Sequence, residues 1–488
     1  MRRTRGSGRA TRGSRHAWTY RAHVTALAWA LALVLTCLPG CGQRSGGSGG
    51  ASGGAPGGAS GTVSGAASGP MSDGASVTPT ASSMDTPAPI VLSFIQNKVE
   101  VGDIFKKMGD AYRAEHPGVR LETATYGGGE DYSTRITAMI QAGNPPDLFT
   151  NEGYAQLIPW LDMAQDLTDQ PWVPRLYEGA ADPVTVNGRI YGFPEAYEGF
   201  GFAYNRTLFR QAGITEEPDT LAALTAACRQ LEAAGIRPFV NTYAEWWVLG
   251  SHNISLPLGH QDDPAAFIDD IASGRTGFAG GKAVDGWLRL LDLTVAYGQP
   301  NATTEGNYAT TVADFAAGNA AMIQQGNWIQ PLLDKLAPGI DVGFLPMPLD
   351  DGPDRRIYAG VPNFIIVNRG SPRRQAALDW LEWLVSSETG KRFLTEELQF
   401  LPAFRDIDPG SPAGLNRALA DKLAAGETYT WNFPRLPAGS NMNIAYALLR
   451  YLDRESTPSK LFADIDDAIR AAGARQDELY GDGKEASP

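Results

Sequence analysis

Three short polar clusters follow three apolar runs: Gln96 and Asn97 after IVLSFI, Tyr126 to Glu130 after VRLETATY, and Asn151 with Glu152 after DLFT. Further along, FPEAYEGFG brings Tyr197 and Glu198, and AEWWVLG brings Trp246 and Trp247. QGNW sets Asn327 beside Trp328, and YTWNFPRLPAGSNMN carries Trp431 and Asn441. Acids and amides satisfy a polar solute through hydrogen bonds without demanding a counter-charge. Aromatic rings add large apolar faces. Such a set suits the binding of a small polar molecule. The same residue types would serve a glycoside hydrolase, which needs two carboxyls roughly 5 to 9.5 Å apart across the scissile bond. They would also serve a site for a cationic solute such as a polyamine, held by Glu152, Glu198 and tryptophan faces. Two adjacent tryptophans on a helix cannot both face one core, so one of Trp246 and Trp247 faces an opening, and Trp246 is preferred.

Other chemistries find less support. The glycines at 127–129 match neither G-x-G-x-x-G nor the phosphate-binding P-loop. No G-x-S-x-G nucleophile elbow occurs. His252 and His260 are eight residues apart with Pro and Gly between them, which is no helical metal-ligand spacing, and both read as surface residues. Neither a metal nor a cofactor is expected.

The elements that must position these residues begin at Ile90. Strand, helix, strand, helix and strand alternate through IVLSFI, VGDIFKKMGDAYRAEHPG, VRLETATY, DYSTRITAMIQAG and DLFT, a βαβαβ unit that predicts a mainly parallel sheet with helices on its faces. In such sheets ligands sit beyond the carboxyl ends of the strands, where the three polar clusters lie. Asn187-Gly188 between two β-like runs predicts a tight hairpin. Helical patterns dominate from about 220 to 340, GVPNFIIVN is a late strong strand, and the last ninety or so residues are mostly helical. FAAGNAAMIQQGNW parses as a helix end, a Gly318 stop, the strand AAMIQ, and a turn that starts the helix WIQPLLDKL. Trp328 therefore stands just past the carboxyl end of a strand.

The chain has 488 residues and a net charge of −13, from 41 basic and 54 acidic residues. Seven arginines precede an apolar run within the first 40 residues. Without them 34 basic residues face 54 acidic ones, a net of −20, and an anion such as nucleic acid would be repelled. The basic start followed by VTALAWALALVLTCL reads as an export signal, residues 1–40. Residues 41–88, rich in Gly, Ser and Ala, read as a flexible tether with a reach of roughly 35 to 40 Å. Cys37 leaves with the signal, so Cys228 has no intrachain partner and no disulfide is expected.

LPGC at 38–41 resembles a bacterial lipobox, with Pro39 a departure from its usual small residue, and implies lipidation of Cys41. That stretch, YGFP followed by YNRTLFRQAGI, then FAAGNAAMIQQGNW, and YAGVPNFIIVN before PRRQAALDWLEWL, together resemble the carbohydrate-binding solute-binding proteins of bacterial ABC importers. The resemblance implies an α/β, two-lobe periplasmic-binding-protein-like fold, with hinge strands and an interlobe ligand cleft. Crossings would fall near Tyr204-Asn205, Gly360 and Leu401-Pro402, giving lobe 1 as 89–204 plus 361–402 and lobe 2 as 205–360 plus 403–488. Gly360 and Asn363 then join the candidate site beside the second hinge, and Trp328 becomes a platform for a sugar ring. The implied protein is a monomer without catalytic residues, outside the cytoplasm and anchored to the cell membrane by its lipid. It would capture a mono- or oligosaccharide and deliver it to the permease subunits.

Overall fold

The computed structural model describes residues 89–127 and 132–481. The export signal, Cys41, the tether and Glu130 lie outside the described residues. Strand β1 (Ile90–Gln96), helix α1 (Gly102–Glu115), β2 (Val119–Thr125), helix α2 (Tyr132–Gln141) and β3 (Leu148–Asn151) form the expected alternation. Helix α1 turns Phe105, Met108 and Tyr112 inward and ends before Pro117-Gly118, where proline halts the α conformation. Strands β4 (Thr185–Val186) and β5 (Arg189–Ile190) form a hairpin. Its turn residues Asn187 and Gly188 have φ of 51° and 73°, the pair of positive values that a type I′ turn requires.

Next come β6 (Phe193–Pro194), the long β7 (Ala196–Asn205), β8 (Phe239–Val240), β9 (Met322–Gly326) and β10 (Val342–Leu345). Strands β11 (Ile357–Gly360), β12 (Phe364–Val367), β13 (Leu401–Pro402) and β14 (Thr428–Tyr429) complete the set. The first sheet runs β2-β1-β3-β12-β6; the second runs β14-β11-β7-β9-β8, with β10 and β13 also paired to β7. In the first sheet β1 pairs parallel with β2 and β3, whereas β12 pairs antiparallel with β3 and β6, so the sheet is mixed. The register explains why: Phe364 pairs with Asn151 and Val367 with Leu148, so β12 enters at the carboxyl end of β3 and runs back along it.

The chain passes between the sheets at Glu195, between β6 and β7, and at Val361–Asn363, between β11 and β12. The whole of β7 lies in the second sheet, so the first passage comes ahead of Tyr204-Asn205. Separate cores sit under the two sheets. One gathers Phe94, Phe105, Phe149, Trp172, Phe193 and Trp380; the other gathers Phe200, Phe202, Phe239, Trp287 and Tyr358, with Cys228 buried in it. A third cluster, including Ile323, Leu415 and Leu419, packs the helix Gly414–Ala425 onto the far face of the second sheet. Each sheet thus has its own core, and the chain links the two at Glu195 and at Val361–Asn363.

Candidate functional site

A cavity of about 450 Å³ opens between the carboxyl edge of the first sheet and the helices and loops of the second lobe. That volume lies within the range of small-molecule sites. From the first lobe it meets Asn97, Asn151, Glu152, Gln156 and Trp160, with Asn363 just before β12. Across from them stand Trp246, Trp247, His252, Trp328, Trp431 and Asn441.

The far wall is an aromatic cluster. The Trp328 ring lies 6.2 Å from Trp431 and 6.3 Å from Trp247, each tilted well away from parallel. Its indole nitrogen donates to Gln325 Oε1 at 2.9 Å, which fixes the ring's rotation. The indole folds back over Gly326, where a Cβ would lie only 1.9 Å from a ring carbon. Trp431 stands edge-on to Phe200 at 5.1 Å, and its Cδ1 would be 2.8 Å from a Cβ at residue 360. Gly360 thus makes room for Trp431 and does not itself reach the cavity. His252 stacks on Phe200 at 4.4 Å and sits 5.1 Å from the Trp328 ring.

Opposite lies a buried charge cluster. Lys98, in the loop after β1, bonds Glu198 of β7 and stands 3.1 Å from Glu195, with its ammonium 4.5 Å over the Phe400 ring. Burial alone would push the lysine pKa down, but the carboxylates of Glu198 and Glu195 outweigh it and hold it above its ordinary value. Glu152 is pushed up to about 7 by burial. Glu100 also sits at about 7, raised by burial and by Glu198 and Glu195, and lowered in part by its own backbone and Lys98. The cavity therefore presents two carboxyls, Glu100 and Glu152, that burial inclines to keep their protons up to near neutral pH.

The lobes also touch beside the cavity. The guanidinium of Arg435 lies 3.9 Å over the Tyr154 ring, and Gln156 Nε2 donates to Leu436 O at 2.9 Å. Tyr154 takes a φ of 46°, an uncommon conformation for a side-chain-bearing residue, directly after Gly153 at 78°. A Cβ on Gly153 would lie 2.6 Å from Pro183 O, so the tight bend needs glycine.

The cavity brings together Asn97, Asn151, Glu152, Glu198, Trp246, Trp328, Asn363, Trp431 and Asn441 of the candidates read from sequence. Several are partly committed within the protein. Asn97 donates to Asn363 Oδ1 at 3.5 Å and accepts from Thr150 at 3.3 Å. Asn151 uses both ends of its amide on Gly153 N–H and Gln156 O, and so shapes the bend that carries Tyr154. Asn441 donates to Ser251 Oγ at 3.3 Å.

Other candidates lie elsewhere. Gln96 is buried, and its amide closes the strand end by bonding Lys98 O and Thr125. Tyr126 packs beneath the Arg135 guanidinium outside the cavity. Tyr197 points away because side chains alternate along β7: Glu198 faces the cavity and its neighbour meets Tyr177. Asn327 is buried as a clamp, accepting from Gly199 N–H at 2.9 Å and donating to Asn416 at 2.8 Å. Trp246 and Trp247 both line the cavity, because they open a helix whose first turn abuts it. His252 is buried in the cavity wall, 5% exposed, contrary to the surface position expected.

Lys98, Glu100, Tyr132, Trp160, His252 and Tyr308 also line the cavity and were not among the site candidates read from sequence. Lys98 and Glu100 follow directly on Gln96-Asn97 and could have been found by extending that strand-end cluster. Tyr132 bridges β1 and β3, donating to Ile95 O and accepting from Thr150 N–H, each at 2.9 Å. Among the described residues no group of His, Cys, Asp and Glu is placed to hold a metal.

Residues 96–391 match the family described as bacterial extracellular solute-binding protein. A Brucella abortus protein named as a binding protein is 22% identical over 359 residues, covering 68% of this chain and 80% of its own. The melibiose/raffinose/stachyose-binding protein MelE of Bacillus subtilis is 22% identical over 305 residues, 59% of this chain and 68% of its own. Among solved structures, a chitin oligosaccharide binding protein superposes with a TM-score of 0.68 at 22% identity, covering 79% of this chain and 99% of that one.

Proposed function

The chain belongs to the bacterial extracellular solute-binding proteins, and on that premise we propose that it captures a carbohydrate between its two lobes and hands it to an ABC import permease. The observation that carries this reading is the pairing, across one cavity, of a mainly tryptophan wall with one made mainly of amides and carboxyls. A sugar has the matching two characters, a weakly apolar ring face and a rim of hydroxyls. Related proteins named for melibiose, raffinose, stachyose and chitin oligosaccharides support the same solute class. Bound sugar would touch both lobes and so favour the closed arrangement by its differential contacts. Closure is the signal a permease reads. Export and a lipid on Cys41 would hold the protein outside the cytoplasm at the membrane, as a monomer within reach of its permease. Among the described residues no helix is long and apolar enough to cross a membrane.

A hydrolase would need a free pair of acids. Glu198 is engaged by Lys98 and is not one of such a pair, while Glu100 and Glu152 remain at the cavity, so the test must read turnover as well as binding. The test is a thermal-shift screen of sugars, polyols and polyamines. A ligand at 100 times its Kd adds about 2.7 kcal/mol of stability. Stabilisation by oligosaccharides, with no change in their chain length on prolonged incubation, is expected. Stabilisation by polyamines alone, or cleavage of the sugars, would overturn the reading.

A further inference from the structure

We propose that His252 selects a hydroxyl of the bound solute, acting as the neutral hydrogen-bonding group in the aromatic wall of the second lobe. The proposal rests on the carbohydrate reading and sharpens it. Four aromatic rings fix the imidazole: Phe200 stacks on it at 4.4 Å, Trp247 and Trp328 lie at 5.1 Å, and Trp431 stands edge-on at 5.5 Å. The ring lines the cavity and is 5% exposed; its Nδ1 is sealed off without a hydrogen-bond partner, so the other ring nitrogen, which no protein group bonds, is the one a solute in the cavity can reach. A ring nitrogen at a cavity wall that no protein group bonds is available to whatever fills the cavity, and its hydrogen bond is gained only when a solute is there.

The local backbone is built around this ring. Val248–Asn253 forms a π-helical turn, a device that commonly re-aims a side chain at functional sites. Asn253 holds the turn by donating to Val248 O at 3.1 Å and to Gln324 Oε1 at 2.8 Å. Burial lowers the imidazole pKa to about 3, so the ring stays uncharged at neutral pH. A neutral imidazole offers one donor and one acceptor. A hydroxyl, which both donates and accepts, satisfies either tautomer. A site that hydrogen-bonds a substrate hydroxyl discriminates strongly against the analogue lacking it.

The experiment uses the full chain, its His252→Phe variant and its His252→Asn variant. Each is titrated calorimetrically with raffinose, maltotriose and chitotriose, then with monodeoxy derivatives of whichever trisaccharide binds. Phenylalanine keeps the stack on Phe200 and removes the unpaired nitrogens. The empty His252→Phe protein is therefore expected to melt at or above the wild-type temperature while binding sugar at least about tenfold more weakly. One deoxy position should cost the wild type about tenfold and His252→Phe nothing, with His252→Asn between them. Wild-type affinity in both variants, or an unchanged deoxy profile, would overturn the role of His252 and leave the carbohydrate reading standing. If no trisaccharide binds the wild type, the carbohydrate reading falls and the role of His252 falls with it. If His252→Phe fails to fold, the deoxy comparison with His252→Asn decides.

Discussion

Replacing Lys98 by methionine removes the one ammonium in a cluster that also contains Glu195 and Glu198. All three side chains are at most 7% exposed. Methionine preserves most of the lysine stem and its packing near Phe400, so the perturbation is chiefly electrostatic. Two carboxylates, each at most 6% exposed, would then face each other without a counter-ion. Removing one member of a buried ion pair typically costs about 3 to 5 kcal/mol, since the remaining charge stays desolvated. The loss should carry a pH signature. Without Lys98 the carboxyls can fold only by taking up protons, so their folded pKa values rise and the variant loses stability as pH increases through those values. Thermal unfolding of wild type and Lys98→Met at pH 5.5 and pH 8 measures this. A deficit of several kcal/mol at pH 8 that shrinks markedly at pH 5.5 is expected, with partial rescue by Lys98→Met combined with Glu198→Gln. A deficit below about 1 kcal/mol, or one equal at both pH values, would refute the idea that charge compensation in this cluster holds the strand end of the first lobe to β7.

Three further outcomes can be measured. Trp328→Ala should fold normally and lose solute affinity by about tenfold to a hundredfold, because the ring is partly buried at the cavity and only packs against the core; equal binding by calorimetry would remove it as the platform. Asn327→Ala should destabilise the protein by about 1 to 3 kcal/mol in denaturant unfolding, since the Gly199 N–H and the Asn416 amide oxygen lose their buried partner. Glu152, at about 7 when folded against 4.5 in the open chain, binds its extra proton only in the folded state between those values. Its contribution to stability is full below pH 4.5 and is lost as pH rises through 7, so Glu152→Gln should flatten the fall in melting temperature between pH 5 and pH 8; an unchanged slope would contradict the burial of that carboxyl.

The alternation of strand and helix up to Asn151 was readable because each element carries its own period and its own stop. The position of Trp328 was readable for the same reason, as Gly318, the apolar run after it and QGN mark helix end, strand and turn. What could not be read locally depends on the other lobe. Asn327 and Trp328 look alike as exposed turn residues, and only the approach of β7 and the helix Gly414–Ala425 turns the first into a clamp and leaves the second at the cavity. Tyr197 and Glu198 are separated by strand alternation, yet which of them faces inward depends on the pairing of β7 with β11 and β13. His252 was misplaced because nothing in SHN announces a π turn or four surrounding rings.

The fold of the Trp328 indole over Gly326 ties the shape of the cavity to one hydrogen atom. Any larger residue at 326 would occupy the space of the ring, so the platform would swing away and the floor of the cavity would be remodelled without altering any residue that touches the solute. The backbone position beneath the tryptophan is thus a dial for the size of the solute, and a glycine-to-alanine exchange there would reshape the cavity with a single methyl group.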